Sequence, residues 1–179
     1  MDASSNTVVV TGFGPFRQHL VNSSWAAVKL VIHVGLASAS RATILLEQCG
    51  KNKGYKERDV CGFLPEDGCC VSEGPERIES TINMKRVWKN LLTEGIDAVF
   101  SRDAGRYVCD YTYYTSLYYG NGRAAFIHVP PLSKWVTAEF LGRTLQRVIL
   151  EMLKQCKQEN RERSKGEPLE DEQEDPWKK

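Results

Sequence analysis

Residues 101–131 read SRDAGRYVCDYTYYTSLYYGNGRAAFIHVPP. Just before them, Ile96, Asp97, Ala98, Val99 and Phe100 make a short, mainly apolar run of strand type. A turn carrying Gly105 follows, then a helical segment with Cys109 near its start. A second apolar run, Ala124, Ala125, Phe126, Ile127, His128 and Val129, stops at Pro130 and Pro131. The order is strand, turn, helix, strand. If the two strands are parallel neighbours joined by a right-handed crossover, Cys109 and His128 emerge at one sheet edge. Open α/β sheets build their sites at the carboxyl ends of strands.

Outward from this stretch the alternation continues. Thr7, Val8, Val9, Val10 and Thr11 form a β-branched run ended by Gly12, a buried strand by composition. It opens into Gly12, Phe13, Gly14, Pro15 and Phe16. The aromatics Phe13 and Phe16 either cap the core or line an apolar pocket. The two glycines are a weak dinucleotide signal, because Arg17 fills the third glycine position. A helix is expected from Asn22 or Ser23 as N-cap. A buried strand is expected at Leu30, Val31, Ile32, His33, Val34 and Gly35, with no turn residue between it and the helix. Such a junction normally needs two to six residues, so the Leu30/Val31 seam reads as if a piece had been removed.

Residues 43–49 form an apolar segment in which Glu47 is an odd place for a merely solvated carboxylate. Residues 51–74 are rich in Gly, Cys and charge and read as a long loop or irregular hairpin. Pro75, Glu76 and Arg77 are expected to open a helix. Its apolar stripe is Ile78, Ile82, Val87, Leu91 and Leu92, and Gly95 stops it. A last helix is expected over 137–154, with Leu141, Leu145, Val148, Ile149 and Met152 on one face. Residues 157–179 are nearly all polar and charged and are expected to be a disordered tail. The remaining 1–156 are expected to form a single domain of α/β class. The architecture expected is a three-layer α/β/α sandwich with a mostly parallel sheet, lacking one strand-helix unit near Leu30/Val31.

The totals bound the function. The chain has 179 residues, 26% of them charged, and a formal net charge of +1. No charge excess points to nucleic acid or an anionic membrane. The amino terminus is polar, and no apolar stretch approaches the roughly 18 residues of a membrane span. A cytoplasmic protein without a membrane anchor is expected. Its six cysteines are then thiols. Their spacing lacks the geometry of a zinc site, so no metal and no cofactor are expected.

Cys109 after a strand-to-helix turn would sit near helix N-terminal amides, which stabilise negative charge on sulfur. Asp110 beside it opposes this. His128 can take or return a proton, and Glu47 can hold its other nitrogen, giving nucleophile, base and orienting acid. The plain alternative is a small buried thiol, a hydrogen-bonded strand-end histidine and a surface carboxylate. His33, inside a strand, reads as a core histidine, and His19 lies in a polar loop.

Four stretches resemble the pyroglutamyl-peptidase I family, especially its vertebrate branch. They are VVTGFGPF at 9–16 with NSSW at 22–25, LEQCG at 46–50 with NKGY at 52–55, DAGRYVCD at 103–110, and FIHVPPL at 126–132. The resemblance implies a thiol protease on an α/β/α sandwich, without metal. That hydrolase is an omega peptidase, which removes an amino-terminal pyroglutamyl residue from a peptide substrate. It also implies roles: Cys109 as nucleophile, His128 as base, Glu47 as orienting carboxylate, and Phe13 and Phe16 against the lactam ring. The Cys109 N–H would meet the oxyanion with a cation after Glu47, for which Lys56 is a match. By the same resemblance, a strand-and-helix unit on the order of 30 residues is absent at Leu30/Val31. Its absence keeps open an alternative, a catalytically impaired relative that binds peptide amino termini or a protein partner.

Overall fold

The computed structural model describes residues 30–37 and 43–166. The expected strand at 7–11, the helix from Asn22, the Phe13/Phe16 loop and His19 lie outside them. Four strands build the main sheet: β1 (Val31–Leu36), β2 (Ile44–Glu47), β5 (Ala98–Ser101) and β6 (Ala124–Val129). Their order is β1-β6-β2-β5. A separate ribbon pairs β3 (Cys49–Lys51) with β4 (Arg77–Glu79) in antiparallel fashion. Three helices complete the described chain: α1 (Met84–Thr93), α2 (Val108–Tyr119) and α3 (Ala138–Gly166).

Side-chain alternation along β6 sorts the helices into layers. Ala125 and Ile127 join Ile44, Leu46 and Ala98 in a core with Met84, Val87 and Leu91 of α1 and Leu141, Val148 and Met152 of α3. Ala124 and Phe126 face the other way, onto Tyr113 and Leu117 of α2. The result is the expected α/β/α arrangement, with α1 and α3 on one face and α2 on the other. Two of the three strand pairings are parallel, β1 with β6 and β2 with β5.

The third pairing corrects an expectation. β2 lies between β5 and β6 and runs antiparallel to β6, so β5 and β6 are neither neighbours nor parallel. Cys109 and His128 therefore meet by another route. The chain leaves α2 through a tight turn in which Asn121 and Gly122 take φ of 49° and 78°. It re-enters the sheet at Ala124, so β6 retraces α2 in the opposite sense. The first turn of α2 is thereby laid against the carboxyl end of β6.

Two helix boundaries also differ. Residues 77–79 are strand β4, and α1 begins only at Met84, because Asn83 is its N-cap and accepts a hydrogen bond from the Arg86 N–H at 2.9 Å. Its end is as read. Gly95, at φ 74°, donates to the Leu92 carbonyl and Ile96 donates to Leu91, a Schellman closure. Helix α3 runs past Lys154 to Gly166, into the stretch expected to be a tail; residues 167–179 lie outside the described residues.

The long segment after β3 is an ordered irregular hairpin centred on Asn52, which is fully buried. Its amide donates to the Val71 and Gly74 carbonyls at 2.8 and 2.9 Å. Its oxygen accepts from the Cys70 and Val71 N–H groups at 3.1 and 2.9 Å. A single side chain thus satisfies four main-chain groups of a loop that has no sheet to do so.

Candidate active site

Glu47 ends β2 with its side chain wholly buried. Leu46 is committed to the α1/α3 core, so alternation turns Glu47 to the α2 face, the face Phe126 and His128 also occupy. In the antiparallel register Leu45 opposes His128 and Glu47 opposes Phe126. Glu47 and His128 are therefore diagonal neighbours, a spacing long side chains bridge. Glu47 Oε1 accepts from His128 Nδ1 at 3.0 Å.

The main chain around Glu47 is fixed from both sides. Tyr113 of α2 donates its hydroxyl to the Glu47 carbonyl at 2.9 Å. The next residue, Gln48, is buried; its amide donates to the Ser80 and Ile82 carbonyls, and its oxygen accepts from the Met84 N–H at 3.0 Å. This double grip sets the direction in which the carboxylate leaves the strand.

Cys109, in the first turn of α2, reaches the same place. Gly35 of β1 pairs in register with His128, and a Cβ on Gly35 would lie 3.2 Å from the Cys109 sulfur. Burial alone would lower the His128 pKa, but the neighbouring Cys109 and Glu47 outweigh that and push it up to about 9. The ring therefore holds its proton through neutral pH.

A cavity of about 210 Å³ opens beside these groups, lined by Ala37, Leu45, Glu47, Asp103, Ala104, Gly105 and His128. Its loop wall, 103–105, belongs to the segment between β5 and α2. Gly105 sits at φ 93°, a left-handed conformation that a side chain would strain. Lys56, the expected oxyanion cation, is exposed in the loop beyond Tyr55. Arg106 is the cation beside the start of α2, ion-paired with Asp103 at 2.8 Å and Asp110 at 3.4 Å. Sequence reading passed over Asp103, Arg106 and the buried Asp110 as partners of one another. Their spacing of three and four residues was the available signal.

The second described histidine, expected in the core, is half-buried. His33 lies against Phe126 with ring centroids 5.9 Å apart and hydrogen-bonds Ser116 Oγ at 2.8 Å; burial lowers its pKa. Among the described residues no group of three or more His, Cys, Asp or Glu is arranged to hold a metal ion. No helix among them is long and apolar enough to cross a membrane.

A buried carboxylate bonded to an imidazole, with a thiol near the adjacent strand, fits the chemistry of a cysteine hydrolase. The pyroglutamyl peptidase family model matches residues 27–143. Mouse pyroglutamyl-peptidase 1 is 45% identical over 194 residues, covering 86% of this chain and 92% of the mouse protein. Human pyroglutamyl-peptidase 1-like protein is 54% identical over 127 residues, 71% of this chain and 64% of that one. A solved mutant pyrrolidone carboxyl peptidase from Pyrococcus furiosus superposes with a TM-score of 0.62 at 28% identity, covering 71% of this chain and 70% of that one. The chain belongs to the pyroglutamyl-peptidase I family of cysteine peptidases.

The alignment with the mouse protein spans more positions than 86% of this 179-residue chain can supply. This chain therefore carries a gap relative to it. The family match begins at residue 27, close to the Leu30/Val31 seam.

Proposed function

We propose that the protein hydrolyses the amide bond after an amino-terminal pyroglutamyl residue, with Cys109 as nucleophile, His128 as acid and base, and Glu47 as the orienting carboxylate. The observation that carries the reading is the 3.0 Å hydrogen bond from His128 Nδ1 to Glu47 inside the cavity wall, with the Cys109 sulfur beside Gly35, the β1 residue paired with His128. That bond leaves Nε2 as the nitrogen available to the thiol. Family membership supplies the substrate class.

In this mechanism the Cys109 sulfur, having given its proton to His128, attacks the pyroglutamyl carbonyl carbon. The developing oxyanion accepts from the Cys109 main-chain N–H at the start of α2. As the carbon–nitrogen bond breaks, His128 delivers its proton to the leaving amine, leaving a thioester on Cys109. Water then attacks the thioester while His128 takes its proton. The carbon–sulfur bond breaks, releasing pyroglutamate and restoring the thiolate-imidazolium pair. Phe13 and Phe16 are assigned to the lactam ring, and Lys56 stays the second candidate for the oxyanion. No metal or cofactor is required by these steps. The six cysteines form no disulfide, which suits a cytoplasmic setting where thiols stay reduced.

The test is release of a fluorogenic amine from a pyroglutamyl amide, with mouse pyroglutamyl-peptidase 1 in the same buffer as reference. Turnover that disappears in Cys109→Ala supports the reading. No turnover while the reference is active overturns it.

A further inference from the structure

The mechanism leaves one buried ionisable group unused. Asp110, the residue after the nucleophile, has a side chain with no exposure at all. One carboxylate oxygen accepts from the Tyr55 hydroxyl at 2.8 Å and from Arg106 Nη1 at 3.4 Å. The other accepts from the Lys51 main-chain N–H at 3.3 Å. Three separate segments converge on it: the end of β3, the hairpin loop at Tyr55, and the turn before α2.

The connections continue into the cavity wall. Arg106 Nη1 bonds the Asp103 carboxylate at 2.8 Å and also the Gly105 carbonyl. Lys51 Nζ reaches the same Asp103 oxygen at 3.3 Å. Asp103 and Gly105 both line the cavity that Glu47 and His128 share. Burial pushes the Asp110 pKa up to about 6 even though Tyr55, Arg106 and the Lys51 N–H favour its charged form.

We propose that Asp110 is a positioning residue for the nucleophile. Through Tyr55, Arg106 and the Lys51 N–H it locks the first turn of α2 and the 103–106 cavity wall in one arrangement, so that Cys109 stays aligned with His128. The proposal deepens the pyroglutamyl-peptidase reading and rests on it for its kinetic consequence. Asp110 does not touch the reacting atoms; it acts through Cys109 and the wall. Misplacement of a reacting group by about 1 Å costs roughly a hundredfold in rate, which sets the size of the expected effect.

The test uses the full chain with Asp110→Ala, Asp110→Asn and Tyr55→Phe. It measures pyroglutamyl-amide turnover and amide hydrogen exchange peptide by peptide. Asp110→Ala is expected to lower kcat roughly a hundredfold and Tyr55→Phe roughly tenfold, each with KM within twofold of the parent. Asp110→Asn keeps one oxygen, enough for Tyr55 or for the Lys51 N–H but not for both, and recovers part of the loss. Exchange in a peptide covering 102–111 should rise about tenfold in Asp110→Ala and Tyr55→Phe, with the α1 and α3 peptides unchanged. Both variants within twofold of the parent kcat overturn the proposal, as does exchange that rises equally everywhere. If Asp110→Ala does not fold, Tyr55→Phe decides alone. If the parent chain has no turnover, the functional reading fails, and the exchange experiment still decides whether the clamp exists.

Discussion

The His128 ring carries the sharpest consequence at the level of single residues. Its pKa is pushed up to about 9 by Cys109 and Glu47 against the effect of burial, and the leaving amine needs that proton. The rate should therefore fall above about pH 9 with the slope of a single proton, read as kcat/KM against pH on a pyroglutamyl amide. Glu47→Gln keeps an oxygen near Nδ1 but removes the charge that helps hold the proton. It should lower kcat about 10²- to 10⁴-fold, the range for losing an aligned acid or base, and move the alkaline limb to lower pH. A Glu47→Gln enzyme with unchanged rate and limb would remove Glu47 from the reaction. The contact between Glu47 and His128 was legible in sequence, because a carboxylate and an imidazole each stand at the end of an apolar run. The supporting Tyr113 and Gln48 were not. They act through main-chain atoms from segments far away in sequence, and such bonds leave no pattern of residue types.

Among the elements, α2 is held by close main-chain approach to the ribbon. A Cβ on Gly50 of β3 would stand 2.8 Å from both the Cα and the N of Tyr114, which are backbone atoms that cannot turn away. Gly50→Ala should therefore push α2 outward and destabilise the fold by about 1–3 kcal/mol, the usual range for overpacking, measured by chemical denaturation. Since Cys109 rides on that helix, activity should fall further than stability alone explains. A variant as stable and as active as the parent would mean the helix is not seated on Gly50. At Gly35 the clash is different: a Cβ would meet the Phe126 ring at 2.7 Å and the Cys109 sulfur at 3.2 Å. Helix stops and apolar faces were readable because Gly95 and the buried stripe are local signals. The start of α1 was misread at Pro75, because Pro and Glu at a helix start look the same as Pro and Glu leading into a ribbon strand. The tertiary bonds of Gln155 to the Asn83 main chain mark the true start. The inserted antiparallel β2 was equally hidden, since an apolar run does not record its direction.

For the molecule as a whole, stability against pH should lean to the acid side. Asp110 has a folded pKa of about 6, above its unfolded value. The folded state thus binds more protons between about 4 and 6, and stability falls as pH rises through that window. His128, also raised, contributes stability that is complete below its unfolded value of about 6.5 and is lost as pH rises through about 9. Opposing them, hydrogen bonds from Arg106 and Lys51 outweigh burial and lower Asp103, and hydrogen bonds from Lys154 and Asn90 lower Glu151. Their contribution is present above the unfolded carboxylate range, near 4, and is lost as pH falls below it. The two trends cross on the acid side of neutrality. The thermal midpoint should be highest between about pH 4 and 5 and decline towards pH 9. Asp110→Asn should flatten the part of the curve between about 4 and 6, and His128→Ala should flatten the part between about 6.5 and 9. A midpoint that rises steadily from pH 6 to 9 would show that neither buried group governs the balance.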